Sequence, residues 1–240
     1  MTIYYNNSPI VTSGLVVLLD STNIKSYPGT GNTWFDLSGN GNNGTLVNFA
    51  GPGAGTTSGF DTVTKFMMFD RRLGGGDGTA NNRVVIPNSA SLTQSLITNP
   101  SGFTISFWLR MTAVVCTAMT KWDGSWEIYY CNSLVWRTQG TGGNDGSTSL
   151  SSSTNLNNFH LITATHSGSE RRFYINDTLF YTNANVVTSQ TTTGPVSIGG
   201  YSDGQYATIG SIPYYSLYNR VLLPQEVQQN FNALRGRYNV

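Results

Sequence analysis

Alternation of apolar and polar residues is clearest over "FTISFWLRM", Phe103 to Met111. Successive side chains of a strand point to opposite faces, so Phe103, Ile105, Phe107 and Leu109 share one side and Thr104, Ser106, Trp108 and Arg110 the other. A sheet with one face on the core and a more polar face opposite would produce this pattern. "GLVVLLD", Gly14 to Asp20, is apolar almost throughout and predicts a strand buried on both faces. Further short strands are predicted at "KFMMFD" (65–70), "RVVIP" (83–87), "TAMTKW", "SWEIYYC", "SLVWRTQ", "FHLITATHS", "RRFYINDTLFYT", "GPVSIGG" and "ATIGSIPYYSLYN". Between them, "SYPGTGNTWFDLSGNGNNGTL" reads as a loop with Trp34 and Phe35 as anchors beneath it. "RRLGGGDGTANN" and "GTGGNDGSTSLSSSTNLNN" read as glycine-rich and low-complexity loops.

Only the C-terminal region has a helical pattern. Pro224 suits a first helical turn, Glu226 complements the positive end of the helix dipole, and Val227, Phe231 and Leu234 recur at i, i+4 and i+7. Gly236 then reads as the C-cap. Around a dozen short strands and one terminal helix predict an all-β, two-sheet antiparallel sandwich. Periodicity leaves open whether it is a jelly roll or another Greek key. Residues 1–13 read as an N-terminal arm and 14–240 as one domain, without an internal repeat or linker.

Asp123-Gly124 reads as a two-residue type I′ turn, which pairs residues whose numbers sum to 247. That register sets Cys116 opposite Cys131 at a hydrogen-bonded pair, where the Cα atoms are farther apart. Two adjacent thiols are expected there rather than a bridge, provided no bulge intervenes.

Composition narrows the function classes. Among 240 residues the formal net charge is +1 and only 10% are charged, so there is no basic footprint for nucleic acid or for an anionic membrane surface. No apolar run approaches the length of a membrane span, and the first residues lack a secretory signal pattern, so folding in a cytoplasm is expected.

Candidate chemistry is sparse. "DLSGNG" matches the first half of a calcium loop through Asp36, Ser38, Asn40 and Gly41, but the twelfth position, which should be a bidentate glutamate, is Val47. The alternative is a series of tight turns in which Asp36 and Ser38 accept backbone N–H groups. Retaining glycoside hydrolysis needs two carboxyl groups about 5 Å apart. Glu127, Glu170 and Glu226 are each isolated: Glu170 in a hairpin turn, Glu226 in the helix cap and Glu127 without an acidic partner at i+2 or i+4. His160 and His166 share a face of one strand, the first a strand-end residue and the second a loop-edge polar group. Aromatic residues beside amides or carboxylates can hold a sugar ring. "KWDGSWEIYY" offers Trp122, Asp123 and Trp126, and "GGYSDGQY" offers Tyr201, Asp203 and Tyr206. Each cluster reads equally as cross-strand packing. Trp122, Tyr201 and Asp203, at the loop tips, are expected to be exposed.

"DLSGNGNNGTL", "KFMMFD…VVIP", "FTISFWLRM", "FHLITAT…RRFYIND", "SIGG" and "IGSIPYYSLYNRVLLPQEVQQNFNALRGRYN" occur in the order seen in laminin-G-like domains of the concanavalin A-like lectin/glucanase superfamily, which the chain resembles from Gly14 to Asn239. The opening "SPIVTSGLVVLLDSTNIKSYPGTGNTWFDLSGNGNNGTL" and the ending "NRVLLPQEVQQNFNALRGRYN" resemble a narrower set, the laminin-G-like structural proteins of tailed phages, cyanophages among them. This resemblance implies a jelly roll and a non-enzymatic virion component, either a capsid decoration or a tail accessory, assembled in the host cytoplasm beside other virion proteins. It also implies the alternative of a host-surface glycan adhesin, with no cofactor required. Ca²⁺ is the candidate metal, held at the rim by some of Asp20, Asp36, Asp70, Asp77 and Asp203, foremost Asp36, Asp70 and Asp203. Two departures stand out: Arg71-Arg72 where relatives carry glycine, and Phe159 where a tryptophan is common.

Overall fold

The computed structural model describes residues 4–5, 8–49, 59–70, 81–96, 102–111, 117–121, 126–130, 134–137, 147–148, 157–167, 170–184 and 193–240. Two short strands, β1 (Tyr4–Tyr5) and β2 (Ser8–Pro9), pair with each other. β3 (Leu15–Asp20), β4 (Thr33–Trp34), β5 (Gly44–Val47), β6 (Gly59–Phe60), β7 (Met67–Asp70) and β8 (Arg83–Ile86) follow. A helix, α1 (Ala90–Leu96), precedes the long β9 (Phe103–Met111). Then come β10 (Thr117–Lys121), β11 (Trp126–Tyr130), β12 (Leu134–Arg137) and β13 (Ser147–Thr148). β14 (His160–His166), β15 (Arg171–Ile175), β16 (Thr178–Asn183), β17 (Val196–Ile198) and β18 (Ile209–Tyr218) complete the strands. The chain ends in α2 (Pro224–Leu234) and a 3₁₀ turn over Arg235–Arg237.

The other strands form two antiparallel sheets. One runs β13-β12-β11-β10-β17-β8-β5-β4, the other β16-β15-β14-β9-β18-β7-β6 with β3 also beside β18. The expected two-sheet sandwich is what forms. The β10–β11 hairpin keeps the expected register from Thr117 opposite Tyr130 to Lys121 opposite Trp126. Its turn, Cys116 and Cys131 lie outside the described residues.

β18 organises its sheet because it is ten residues long and buried along its whole length. On one side it pairs with β9. On the other, its first part takes β7, from Ile209 opposite Asp70 to Ser211 opposite Met68. Its second part takes β3, from Tyr214 opposite Asp20 to Tyr218 opposite Leu15. Phe103, Ile105, Phe107 and Leu109 of β9 face the space between the sheets, where they meet Trp34, Val84, Ile86, Met119, Val196 and Ile198. As expected of β3, both faces are buried, Val17 and Leu19 toward this core and Leu18 away from it.

The far face of β9 departs from expectation: Thr104, Ser106 and Trp108 are buried too. A second apolar layer covers that face, in which Ile10, Leu18, Trp108, Leu161, Tyr214, Phe231 and Leu234 pack together. The small polar groups of β9 on this face are satisfied internally. Ser106 and Thr163 hydroxyls lie 2.8 Å apart across the ladder, and Thr104 Oγ1 donates to Arg220 O and accepts from Leu222 N. A strand pattern reports only that one face is more polar, and here the chain's two end segments roof the polar side.

A buried latch joins those segments. Asn230 Oδ1 accepts from Val11 N at 2.8 Å, Asn230 Nδ2 donates to Tyr218 Oη at 3.1 Å, and Tyr218 Oη donates to Val11 O at 3.0 Å. Tyr218→Phe would leave the Val11 carbonyl and an Asn230 donor buried without partners, so a loss of ~2 kcal/mol is expected in urea unfolding. A change below ~0.5 kcal/mol would mean that the latch adds nothing to stability.

Local expectations failed in four places. α1 was not anticipated, since "ASLTQSL" has no apolar stripe; its signal is Ser89, whose Oγ accepts from Leu92 N as an N-cap. Gly236 is not the C-cap of α2, because the helix tightens into the 3₁₀ turn through Arg235 instead. "RRFYINDTLFYT" is two strands, β15 and β16, hinged at Asn176 with φ 60°. Trp34 is a buried anchor, but Phe35 is 43% exposed. The N-terminus of α2 is as expected: Glu226 accepts from Leu223 N and is clamped by both terminal nitrogens of Arg220 at 2.6 and 2.7 Å.

Candidate functional site

The loop from β17 to β18 carries Tyr201, Asp203 and Tyr206 across from one sheet to the other at one end of the sandwich. Gly199 opens it with φ 85°, where a Cβ would run into the Phe69 ring, so close packing of the two sheets requires glycine. Tyr201 N donates to Gln205 O and Gly204 N to Tyr201 O, which closes a compact turn. The residues at the start of β8 hold that turn from below. Asn81 Nδ2 donates to Gly204 O at 2.9 Å, and Arg83 Nε donates to Ser202 O at 2.8 Å. Burial pulls the Arg83 guanidinium below its ordinary value, and the Asp203 charge partly offsets this.

Within this loop the rings of Tyr201 and Tyr206 lie 4.8 Å apart at 48°. Their exposure inverts the expectation for the loop tip: Tyr201 is buried, while Tyr206 is 39% exposed in a left-handed conformation, φ 51°. Asp203 is exposed, its two carboxylate oxygens accepting from Gln205 N and Gln205 Nε2. Trp126 begins β11 opposite Lys121; its side chain and all of Trp122 and Asp123 lie outside the described residues.

The three candidate metal ligands divide between two places. Asp70 ends β7 opposite Ile209, at the same end of the sandwich as Asp203, and is buried with its N–H on Asn82 Oδ1. Asp36 instead binds the β3 backbone beside Leu18, which pairs with Ser216. Seven residues of β18 separate those registers, roughly 23 Å. The Asp36 carboxylate accepts four hydrogen bonds, from Leu18 N and Ser38 N at Oδ1 and from Ser38 Oγ and Asn42 N at Oδ2. These fill its lone pairs, so the "DLSGNG" segment acts as a clip that ties the loop to β3. Asp20 is committed to Arg237 at 2.7 Å, and Asp77 lies outside the described residues. Among the described residues no three His, Cys, Asp or Glu side chains are grouped closely enough to hold a metal ion.

A cleft of about 690 Å³ opens on the roofed face of the β14-β9-β18 sheet, next to the chain's last residues. Phe66, Phe159 and Tyr238 line its floor with ring centroids 4.9 to 5.7 Å apart. Arg110 lies over Phe159, its guanidinium carbon 4.9 Å from the ring centre. Asn157, Asn158, His160, Arg237 and Asn239 supply the polar wall. The sequence marked three of these positions, Arg110 on the far face of β9, Phe159 before β14 and His160 at its start, but not their meeting.

A family model described as Laminin_G_3, Concanavalin A-like lectin/glucanases superfamily, matches residues 77–228. The chain belongs to this family. No curated protein matches this laminin-G-like chain in sequence. Among solved structures it is similar to the binding domain of botulinum neurotoxin DC in complex with rat synaptotagmin II, at 17% identity and a TM-score of 0.64 over 93% of this chain and 52% of that one. The binding domain of Paraclostridial Mosquitocidal Protein 1 is similar at 20% identity and a TM-score of 0.64, over 91% of this chain and 52% of that one. Trypanosoma rangeli sialidase in complex with sialic acid is similar at 16% identity and a TM-score of 0.62, over 95% and 34%. The laminin-G-like chain thus spans about half the length of the first two and a third of the last. At these identities the likeness establishes the fold, a concanavalin A-like jelly roll.

The glutamates of the laminin-G-like chain have structural partners where they are described. Glu170 pairs with Arg172 at 2.6 Å and Glu226 with Arg220 at 2.6 Å. Glu127 lies in β11 opposite Thr120 and Arg137, and its side chain is outside the described residues. His160 begins β14 as expected. His166 is not a loop-edge group but buried: its ring is 5.0 Å from Phe103, and Nδ1 accepts from Arg171 Nε at 3.2 Å. Among the described residues no helix is long and apolar enough to cross a membrane.

Proposed function

We propose that this chain is a non-enzymatic, lectin-fold component of a tailed-phage virion, displayed on the capsid or as a tail accessory and held there by other virion proteins. One observation carries the reading. The opening and closing stretches that resemble phage proteins form a single structural unit, with Ile10 and Val11 locked by Asn230 and Tyr218 onto α2 and β18. The arginine partners of Glu170 and Glu226 agree with a non-catalytic role. Immunogold labelling and mass spectrometry of purified virions, from cells carrying the encoding gene, test this. Label on capsid or tail at a fixed copy number is expected; virions free of the protein would end the proposal.

A second reading, a host-surface glycan adhesin, draws on the rim. The exposed Tyr206 ring and the exposed Asp203 carboxylate of the same loop are the kinds of group that hold a pyranose. Relatives in fold include a botulinum neurotoxin type C whose cell entry depends on two ganglioside molecules. A glycan array with and without Ca²⁺ is the measurement. This reading expects at least one bound glycan, lost in Tyr206→Ala; an array blank under both conditions rejects it.

A further inference from the structure

The cleft over Phe159 has the chemistry of a binding site. We propose that it binds an acidic saccharide, a sugar unit bearing a carboxylate, independently of whether the rim loop binds a glycan.

The argument begins with charge. Arg110, Arg237 and His160 line the cleft, and no aspartate or glutamate side chain does. Arg237 is already neutralised by Asp20. Arg110 is not: among the described residues it makes no ion pair, its NH2 reaches only Ser211 Oγ at 3.3 Å, and its buried Nε has no acceptor. Asp61 feels the charge of Arg110, but its own carboxylate is held by Val63 N and Thr64 Oγ1. A planar guanidinium with most of its donors unmet suits a planar, two-oxygen anion.

The surroundings then select what carries the anion. Phe66, only partly buried, presents ring surface beside Phe159 and Tyr238, which suits the C–H face of a pyranose. The exposed amides of Asn157, Asn158 and Asn239 can both donate to and accept from ring hydroxyls. The volume falls within the range of small-ligand sites and holds one or two sugar rings. A simple inorganic anion would leave the aromatic floor and the amides unused.

The test is an NMR titration with oligogalacturonate and with the matching neutral galactose oligomer. Trp108 stacks on Tyr238 at 4.3 Å, so its indole signal reports on the cleft floor. Oligogalacturonate is expected to shift the Trp108 and Phe159 signals saturably and to bind about tenfold or more tightly than the neutral oligomer, with an affinity that falls as salt is added. Arg110→Met, which keeps the stem over Phe159, should weaken the acidic ligand about tenfold. Tyr206→Ala on the rim should leave it unchanged. Equal affinity for the two oligomers overturns the proposal, as does a folded Arg110→Met that binds normally. Inorganic sulfate occupying the cleft as tightly as the sugar would also overturn it. Should Arg110→Met fail to fold, the wild-type salt dependence decides: an affinity indifferent to salt rejects a charge-selected ligand.

Discussion

Between about pH 10 and pH 12 the protein is expected to unfold cooperatively, far more steeply than carboxylate or lysine titration alone would produce. Tyr214, Tyr215 and Tyr218 are fully buried phenols, and Tyr238 is buried beside them. Burial pushes Tyr218 up to about 12, even though hydrogen bonds from Asn230, Ser216 and Tyr214 pull the other way. It raises Tyr214 and Tyr238 well above their ordinary value, and raises Tyr215 as well. In the unfolded chain all four ionise near the ordinary value of 10. Above that pH the unfolded state therefore holds fewer protons than the folded one, and stability falls as pH rises. Each phenol contributes ~1.4 kcal/mol per pH unit, so four together remove ~5.6 kcal/mol per unit, comparable to the whole stability of many domains.

Below that cliff the slope reverses. Lys121 is buried on β10, with Nζ on Asn88 Oδ1 at 2.6 Å and Gly194 O at 2.8 Å, and burial lowers it to about 8. From about pH 8 up to its ordinary value near 10.5, the unfolded state binds the extra proton, so this group makes the fold more stable as pH rises. The thermal midpoint should therefore climb gently above pH 8, peak near pH 10 and then collapse. Circular dichroism melts across that range check the curve, and tyrosinate absorbance checks its cause. Tyrosinate from the four buried phenols appearing before unfolding would sink the explanation.

The largest effect expected of a single substitution is at Arg237. The Asp20 side chain is fully buried, and its carboxylate accepts from Thr22 N, Thr22 Oγ1 and Arg237 NH1. Tyr214 and Tyr238 pack close enough to feel its charge. Arg237→Leu removes the cation and strands that charge among aromatic rings, for a loss of ~3–5 kcal/mol. That corresponds to a fall of about 10 °C in thermal midpoint for a chain of this size. Adding Asp20→Asn should restore part of the loss, because it removes the stranded charge. A single mutant within ~1 kcal/mol of wild type, or a double mutant no better than the single, would contradict this account.

What the sequence made legible was local. The alternation in Phe103–Met111 assigned the inner face of β9, the turn expected at Asp123-Gly124 predicted the register of β10 against β11, and Pro224 with Glu226 marked the start of α2. These rest on neighbours within a few residues of one another. The exposure of Phe35 and Tyr206, and the burial of Tyr201 and His166, depend on what distant strands place above them. The cleft is the extreme case. Its walls come from residues near 64–66, 110, 157–160 and 237–240, and no spacing rule connects four such segments. Asp36 shows the converse, since its turn-forming alternative was legible and is the role its four hydrogen bonds give it.

The central position of β18 also bears on how the molecule is made. It is the last strand along the chain, yet β3, β7 and β9 all rest on it, and its pairing with β3 spans about two hundred residues. As the chain leaves a ribosome, the apolar stretch Leu15–Asp20 has nowhere to pair until residues 209–218 emerge. Loop closure over that distance makes folding slow and leaves the early strands exposed to aggregation in the meantime. A nascent chain stalled before Ile209 should accordingly be sensitive to protease along its first strands, and acquire resistance only once β18 has cleared the exit tunnel.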